Sequence, residues 1–297
     1  MQIAKRDLVY TEHSRFNKPR ITVVPGEEFI VETELCSGDW LHSIEDTYSK
    51  EKAKGPNPCV VIGIEGAMPG DVLAVKIKDI EPDELGYTGF DGDANELAGL
   101  IYKKDWGLTT KTLRIADGKI EWSDKIKLPV RPMIGTLGTA PEREVLDNSK
   151  AGPYGGNMDV NEVTVGSTVY LPVFVADALL HVGDVHAIQG DGEINLAGGV
   201  ECRAKVRLSV DLEKRPRRME WIRIENEEYI MAVACCRSME ESFYAAAREL
   251  LYWILDDYGF DEREAYLLMG QVMEARCTQF VNPMRTYICK MPKKVLV

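Results

Sequence analysis

No long stretch before about residue 238 carries the three-to-four spacing of an amphipathic helix, whereas apolar residues recur there at every second position. In Phe29-Ile30-Val31-Glu32-Thr33-Glu34-Leu35, residues 29, 31, 33 and 35 share one face and Glu32 and Glu34 the other. Leu73–Lys78 and Ala204–Val210 alternate in the same way. A period of two puts one face on a core and the other in water, as in an antiparallel sheet with one wet side. Parallel sheets need helical crossovers, which this region lacks. Turn signals at Pro25-Gly26, Pro69-Gly70-Asp71, Asp117-Gly118 and Gly190-Asp191-Gly192 separate the runs. The expected class is mainly β, a sandwich or barrel.

The last sixty residues read differently. Ser238 and Glu241 have capping-box spacing, followed by Phe243, Ala247, Leu250, Leu251 and Ile254 at helical spacing, with Gly259 placed as a stop. Asp261 and Glu264 open a second helix through Leu267, Leu268 and Val272, and Thr286–Cys289 reads as a closing strand. The expected organisation is a β body over residues 1–210 and an α+β portion over 211–297 packed on it. The basic run Lys214-Arg215-Pro216-Arg217-Arg218 lies between two strand patterns and reads as a solvated hairpin loop.

Composition narrows the function classes. The 297 residues carry 45% hydrophobic and 28% charged side chains, ordinary for a globular chain, and a net charge of −12, which repels phosphate and disfavours nucleic acid. No run approaches the roughly 20 apolar residues that cross a bilayer, and the N-terminus has no apolar run of signal-peptide length, so a cytoplasmic location without a membrane partner is expected. The seven cysteines are odd in number and form no Cys-x-x-Cys pair, which fits buried reduced thiols. Signatures of a serine hydrolase elbow, a phosphate loop and a dinucleotide fold are absent from the sequence.

Four histidines exist, and His186 has the richest company. Asp184 lies two residues before it and shares its face on a strand. The Gly190-Asp191-Gly192 turn then brings Asp191 and Glu193 around, with Gln189 between. Three carboxylates and one imidazole are costly to bury unless a charge compensates them, and a bound cation is the natural one. The competing reading is an ordinary polar hairpin. Gly155-Gly156-Asn157-Met158-Asp159 forms a second polar cluster, and the apolar Val169–Val175 stretch between the two could be a core strand that sets both at one rim. Glu34, Glu142 and His42 carry weaker cases, and His13 none.

These segments resemble the acetamidase/formamidase family. The resemblance rests on Glu65-Gly66-Ala67-Met68-Pro69-Gly70-Asp71, Ile134-Gly135-Thr136-Leu137-Gly138-Thr139-Ala140-Pro141, the 155–159 cluster and the 183–193 stretch, in family order over about residues 20 to 290. It implies a jelly-roll-like β-sandwich body, a smaller α+β part, and hydrolysis of a short amide such as formamide or acetamide to carboxylate and ammonia with a divalent metal. The segment Cys36 to Cys59 departs from the longer, glycine-rich segment of formamidases, so the fold transfers more safely than the substrate. On this reading His186, Asp184 and Asp159 hold the metal, with zinc favoured over calcium because imidazole joins the carboxylates. Glu193 or Asp191 is the general base, and Asn157 stabilises the oxyanion. Gly155, Gly156 and Gln189 are assigned to the substrate. The alternatives are a non-catalytic ligand-binding sandwich with a structural metal and a cysteine amidase. A symmetric dimer is expected on general grounds.

Overall fold

The alternation in the sequence becomes one continuous, curled β system. The computed structural model describes residues 1–91, 96–103, 107–195, 197–216 and 218–297. Within it, β1 (Glu28–Thr33), β2 (Val60–Ile64) and the long β3 (Asp71–Phe90) precede a seven-residue helix, α1 (Glu96–Tyr102). Then follow β4 (Thr109–Ala116), β5 (Met133–Gly138), β6 (Gly155–Asn157), β7 (Thr168–Pro172), β8 (Leu180–Gln189) and β9 (Ala197–Lys214). The pairings among these strands are antiparallel; the parallel ones are short and lie at the N-terminus, Gln2–Ala4 on β1 and Ile21–Val23 on β2.

β9 and β3 form the spine, paired from Ala197↔Gly89 to Lys214↔Asp71 with three register shifts. β9 is continuous through residue 210. In β1 the alternation survives intact: Phe29, Val31 and Thr33 are buried, and Ile30 and Glu32 are half-buried. Phe29, Val31, Val75, Ile77, Val206 and Leu208 join Leu171, Val182 and Val185 in the main core. At about 25 cal/mol per Å² of apolar surface removed from water, this interior dominates the folding free energy.

The C-terminal portion adds β10 (Ile222–Glu225), β11 (Tyr229–Cys236), α2 (Met239–Tyr258), α3 (Glu262–Val272), β12 (Glu274–Gln279) and β13 (Arg285–Pro292). Both capping readings hold. The Ser238 and Glu241 side chains each meet the other's backbone N–H, Gly259 ends α2 at φ 70°, and the Asp261 side chain accepts from the N–H groups of Arg263 and Glu264. The buried stripe of α2 is rotated from the one read in sequence. Ser242, Ala245, Ala246, Glu249, Leu250, Trp253 and Ile254 face β11 and β13, while Phe243, Ala247 and Leu251 are only partly buried.

The basic run lies at the surface, with the Lys214 side chain 90% exposed, and its described cations have partners. Lys214 pairs with Asp71, Arg215 donates twice to the Met219 carbonyl, and Arg218 pairs with Asp256; Arg217 lies outside the described residues. No helix among the described residues is long and apolar enough to cross a membrane. All seven cysteines are free thiols, four of them buried.

Candidate active site

The two polar clusters meet, but through a different strand from the one that separates them in sequence. β7 packs on β3 and β10. The connecting strand is β5, which pairs with β6 on one side (Thr136↔Asn157) and β8 on the other (Met133↔His186, Thr136↔Gly183). Direct cross-strand pairing then aligns Met133, His186, Glu201 and Tyr87 across β5, β8, β9 and β3. The partners Ile134, Val185 and Cys202, one residue along, fall into the main core, so the period of two turns His186 and Glu201 to the opposite face.

His186 Nε2 lies 3.0 Å from Glu201 Oε2 and 3.5 Å from Asp184 Oδ1. A β-bulge between His186 and Gln189 brings the Gln189 side chain back onto the imidazole, Oε1 to Nδ1 at 2.8 Å. Gln189 Nε2 donates to the carbonyls of Asp159 (2.9 Å) and Thr278 (3.3 Å), which can only accept. Gln189 Oε1 is thereby the acceptor, Nδ1 carries the proton, and Nε2 is aimed at the carboxylates.

Asp184 Oδ2 accepts from Asn57 Nδ2 (2.8 Å) and Thr136 Oγ1 (3.1 Å), and Thr136 Oγ1 also lies 2.8 Å from Asn157 Oδ1. Asp159 Oδ2 accepts from Asn282 Nδ2 at 2.7 Å. Four buried atoms of the cluster have no hydrogen-bond partner: Asp159 Oδ1, His186 Nε2, Glu193 Oε2 and Glu201 Oε2. The first three belong to residues whose ligand atoms all lie within 4.8 Å of one another; Cys36, Asp184 and Glu201 form a second such group.

Burial pushes the carboxyls of Asp159 and Glu193 up, Asp159 to about 7 and Glu193 well above its ordinary range; the charge of Asp184 adds to the rise at Asp159, and that of Asp159 to the rise at Glu193. Burial likewise raises Glu201. Burial alone would lower His186, but the charges of Glu201 and Asp184 outweigh it and hold the imidazole well above its usual value. Three of the carboxylate residues, Asp159 (φ 50°), Asp184 (φ 60°) and Glu193 (φ 42°), sit in the left-handed region. That conformation costs an L-residue about 1 kcal/mol or more, and such strain gathers where surrounding structure enforces a functional geometry.

Three glycines make the cluster possible, among them Gly198, where a Cβ would lie 1.9 Å from Glu193 Cγ. A Cβ at Gly135 would lie 2.5 Å from Asp184 Oδ2 and 2.6 Å from Asp159 Oδ1, and one at Gly199 would lie 2.6 Å from His186 Nδ1. The cluster opens on a cavity of about 430 Å³ whose lining includes Asp184, Glu193, Glu201, Asn157 and Asn282.

The acetamidase/formamidase family matches residues 12–154 and 151–296. The chain belongs to this family. The acetamidase of Mycolicibacterium smegmatis is 29% identical, over 70% of this chain and 68% of that one. The formamidase of Methylophilus methylotrophus is 27% identical, over 68% of this chain and 64% of its own length. The crystal structure of a predicted acetamidase/formamidase from Thermoanaerobacter tengcongensis superposes with a TM-score of 0.91 at 33% identity, covering 99% of this chain and 96% of that one.

In this member of the acetamidase/formamidase family, His186, Asp184, Asp159, Glu193, Gln189 and Asn157 converge. Asp191 stands apart: its side chain is 53% exposed and is paired with Arg276 at 2.8 Å. Gly155 and Gly156, at φ 91° and 93°, lie in the hairpin against Leu137 and Gly138, away from the cavity lining. Glu34 pairs with Arg203, Glu142 with Arg143, and His42 with Asp39.

Sequence reasoning missed Glu201, Asn57, Thr136, Asn282 and Cys36. Glu201 had a signal, a single carboxylate between Val200 and Cys202 in a β run; the asparagines lie in loops, where no periodicity marks a side chain's direction. Cys36 reaches the cavity, with its Sγ 3.1 Å from the Tyr87 hydroxyl, and burial pushes its thiol well up. A thiol held protonated is a poor nucleophile, which argues against the cysteine-amidase reading.

Four buried carboxylates around one imidazole leave an excess of negative charge that a divalent cation fits. The group Asp159, His186 and Glu193 suits it best, because each supplies an unpartnered buried atom. In the second group only Glu201 does, since the Cys36 thiol and Asp184 Oδ2 already have partners.

Proposed function

We propose that this chain hydrolyses a carboxamide to the carboxylate and ammonia, with a divalent cation, zinc by preference, held by Asp159, His186 and Glu193. The observation that carries the reading is the convergence of unpartnered Asp159 Oδ1, His186 Nε2 and Glu193 Oε2 beneath a cavity wide enough for a small organic substrate. Imidazole nitrogen and carboxylate oxygen are both zinc ligands, and three protein ligands leave a position open for water or substrate. When bound, such a cation supplies Lewis-acid polarisation of the carbonyl and lowers the pKa of a neighbouring water.

The chain's own residues supply the rest. Gln189 holds the imidazole with Nε2 facing inward. Glu201 takes over the base role expected of Glu193 or Asp191: its Oε2 is buried and faces His186 Nε2, at 3.0 Å, its carboxyl is raised by burial, and it lines the cavity. A carboxyl raised toward neutrality is suited to moving protons in both directions. Glu201 accepts a proton from the attacking water as the C–O bond forms, and returns it to the nitrogen as the C–N bond breaks and ammonia leaves. Asn157, whose Oδ1 is engaged by Thr136, donates from Nδ2 to the developing oxyanion, a contribution of about 3 kcal/mol for one such donor.

Ammonia release from a set of primary amides tests this. Glu201→Gln is expected to lower kcat by about 10²–10⁴-fold with the fold retained. Chelation is expected to abolish release, and added zinc to restore it. Full activity in His186→Ala or Glu201→Gln overturns the assignment; loss of thermal stability on chelation, with no activity toward any amide before it, points to a structural metal in a binding module.

A further inference from the structure

We infer that the amide taken by this site carries an uncharged, apolar acyl group several carbons larger than formyl or acetyl. The inference rests on amide hydrolysis at the cluster and concerns which amide. The cavity holds about 430 Å³, the share of roughly fourteen waters at about 30 Å³ each. An amide of three or four heavy atoms fills only a small part of it.

Much of the cavity wall is carbon. Tyr48, Phe90, Leu108, Ala53 and Pro56 line it together with Tyr87, the cross-strand partner of Glu201. Tyr87 is 3% exposed. Its ring stacks on Tyr48 at 5.6 Å and 8°, and Trp40 meets it edge-on at 4.9 Å. The Tyr87 hydroxyl lies 2.8 Å from Ser37 Oγ and 3.1 Å from Cys36 Sγ, which fixes the ring. A wall packed and tethered in this way does not collapse around a smaller ligand, and interiors of this kind respond to single methylenes. Lys50, the lysine at the cavity wall, pairs with Asp91 at 2.6 Å, so that cation is already matched and the wall favours a neutral tail.

Each methylene buried against such a wall is worth about 0.8 kcal/mol, close to fourfold in affinity. Binding energy at a part of the substrate remote from the reaction can be expressed in kcat/KM.

The test measures ammonia release by the full-length protein from formamide, acetamide, butanamide, hexanamide and benzamide. The expected result is kcat/KM at least tenfold higher for hexanamide or benzamide than for acetamide. A maximum at formamide or acetamide, falling with each added carbon, overturns the acyl inference and leaves amide hydrolysis standing. No release from any amide overturns the hydrolase reading. Calorimetric binding of hexanoate against acetate reads the wall independently of turnover, with at least tenfold tighter hexanoate expected and equal affinities counting against it. Ala53→Trp, which takes up space at the cavity wall, is expected to cut the hexanamide-to-acetamide ratio tenfold, and Tyr48→Ala, which removes part of the wall, to lower the benzamide-to-acetamide ratio. Ratios unchanged in both variants overturn the proposal.

Discussion

At Gly135 the absence of a methyl group decides whether two carboxylates can approach. Gly135→Ala would place carbon against Asp184 and Asp159 at distances no real Cβ tolerates. Overpacking of this kind costs about 1–3 kcal/mol. The expected result is a stable variant, by urea denaturation, whose ammonia release falls at least a hundredfold. A second residue-scale prediction concerns a pair of histidines away from the cavity. His13 stacks on His181 at 4.3 Å; His13 Nδ1 meets Asn148 Oδ1, and Asn17 Nδ2 meets His181 Nε2. Burial lowers His13 to about 4 and His181 well below its ordinary value. Unfolded histidine titrates near 6.5, so as pH falls below that the unfolded chain takes up protons that the folded one refuses. This stability is fully present above pH 6.5 and is lost as pH falls toward 4, by up to about 3 kcal/mol for His13. Urea midpoints measured from pH 7 to pH 4 should fall less steeply for His13→Gln than for the parent.

Between elements, one buried ion pair is a contact that no periodicity marks. Glu249 of α2 is 1% exposed and pairs at 2.6 Å with Arg223 of β10, which is equally buried. Its other oxygen accepts from the N–H groups of Glu220 and Trp221, and Arg223 lies over the Trp253 ring. Removing one partner of a buried pair leaves an uncompensated charge and costs about 3–5 kcal/mol, whereas replacing both with apolar residues can be nearly neutral. Glu249→Leu is therefore expected to lower the urea midpoint sharply at an unchanged m-value, and Arg223→Met with Glu249→Leu to recover most of it. The pair also explains the rotation of the helix stripe. Glu249 and Ser242 are polar, so an apolar stripe does not include them, yet Ser242 Oγ donates to the Arg285 carbonyl and both residues face the sheet.

For the whole molecule, the C-terminal portion completes the cluster as well as packing on the body. Asn282 holds Asp159, and the Thr278 carbonyl holds Gln189. The Gly192 N–H donates to Thr278 and the Phe280 N–H to Gly192, so β12 and the loop after it grip the turn that leads to Glu193. Arg276 clamps the same turn through Asp191 (2.8 Å) and Glu162 (2.7 Å). Partly exposed ion pairs contribute at most about 1 kcal/mol, yet a displacement of about 1 Å at a reacting group can cost a hundredfold in rate. Arg276→Met and Asp191→Asn are expected to lower kcat by similar factors near tenfold, with little change in stability. A loss of about 10²–10⁴-fold confined to Asp191→Asn would instead mark a general base.

The sequence by itself determined the fold class, the caps of both long helices and six of the residues in the cluster, because these depend on spacing along the chain. Alternation turns a face inward whatever the neighbours are, and Ser238, Gly259 and Asp261 act on backbone groups within four residues. Tertiary structure alone decided that β5 joins the two polar clusters, that Glu201 stands beside His186, and that Asp191 leaves the cluster for Arg276. Those outcomes depend on which strands pair and in what register. A one-residue slip in register turns every side chain to the other face, and pairing between distant strands is fixed by the packed core as a whole, which no local window contains.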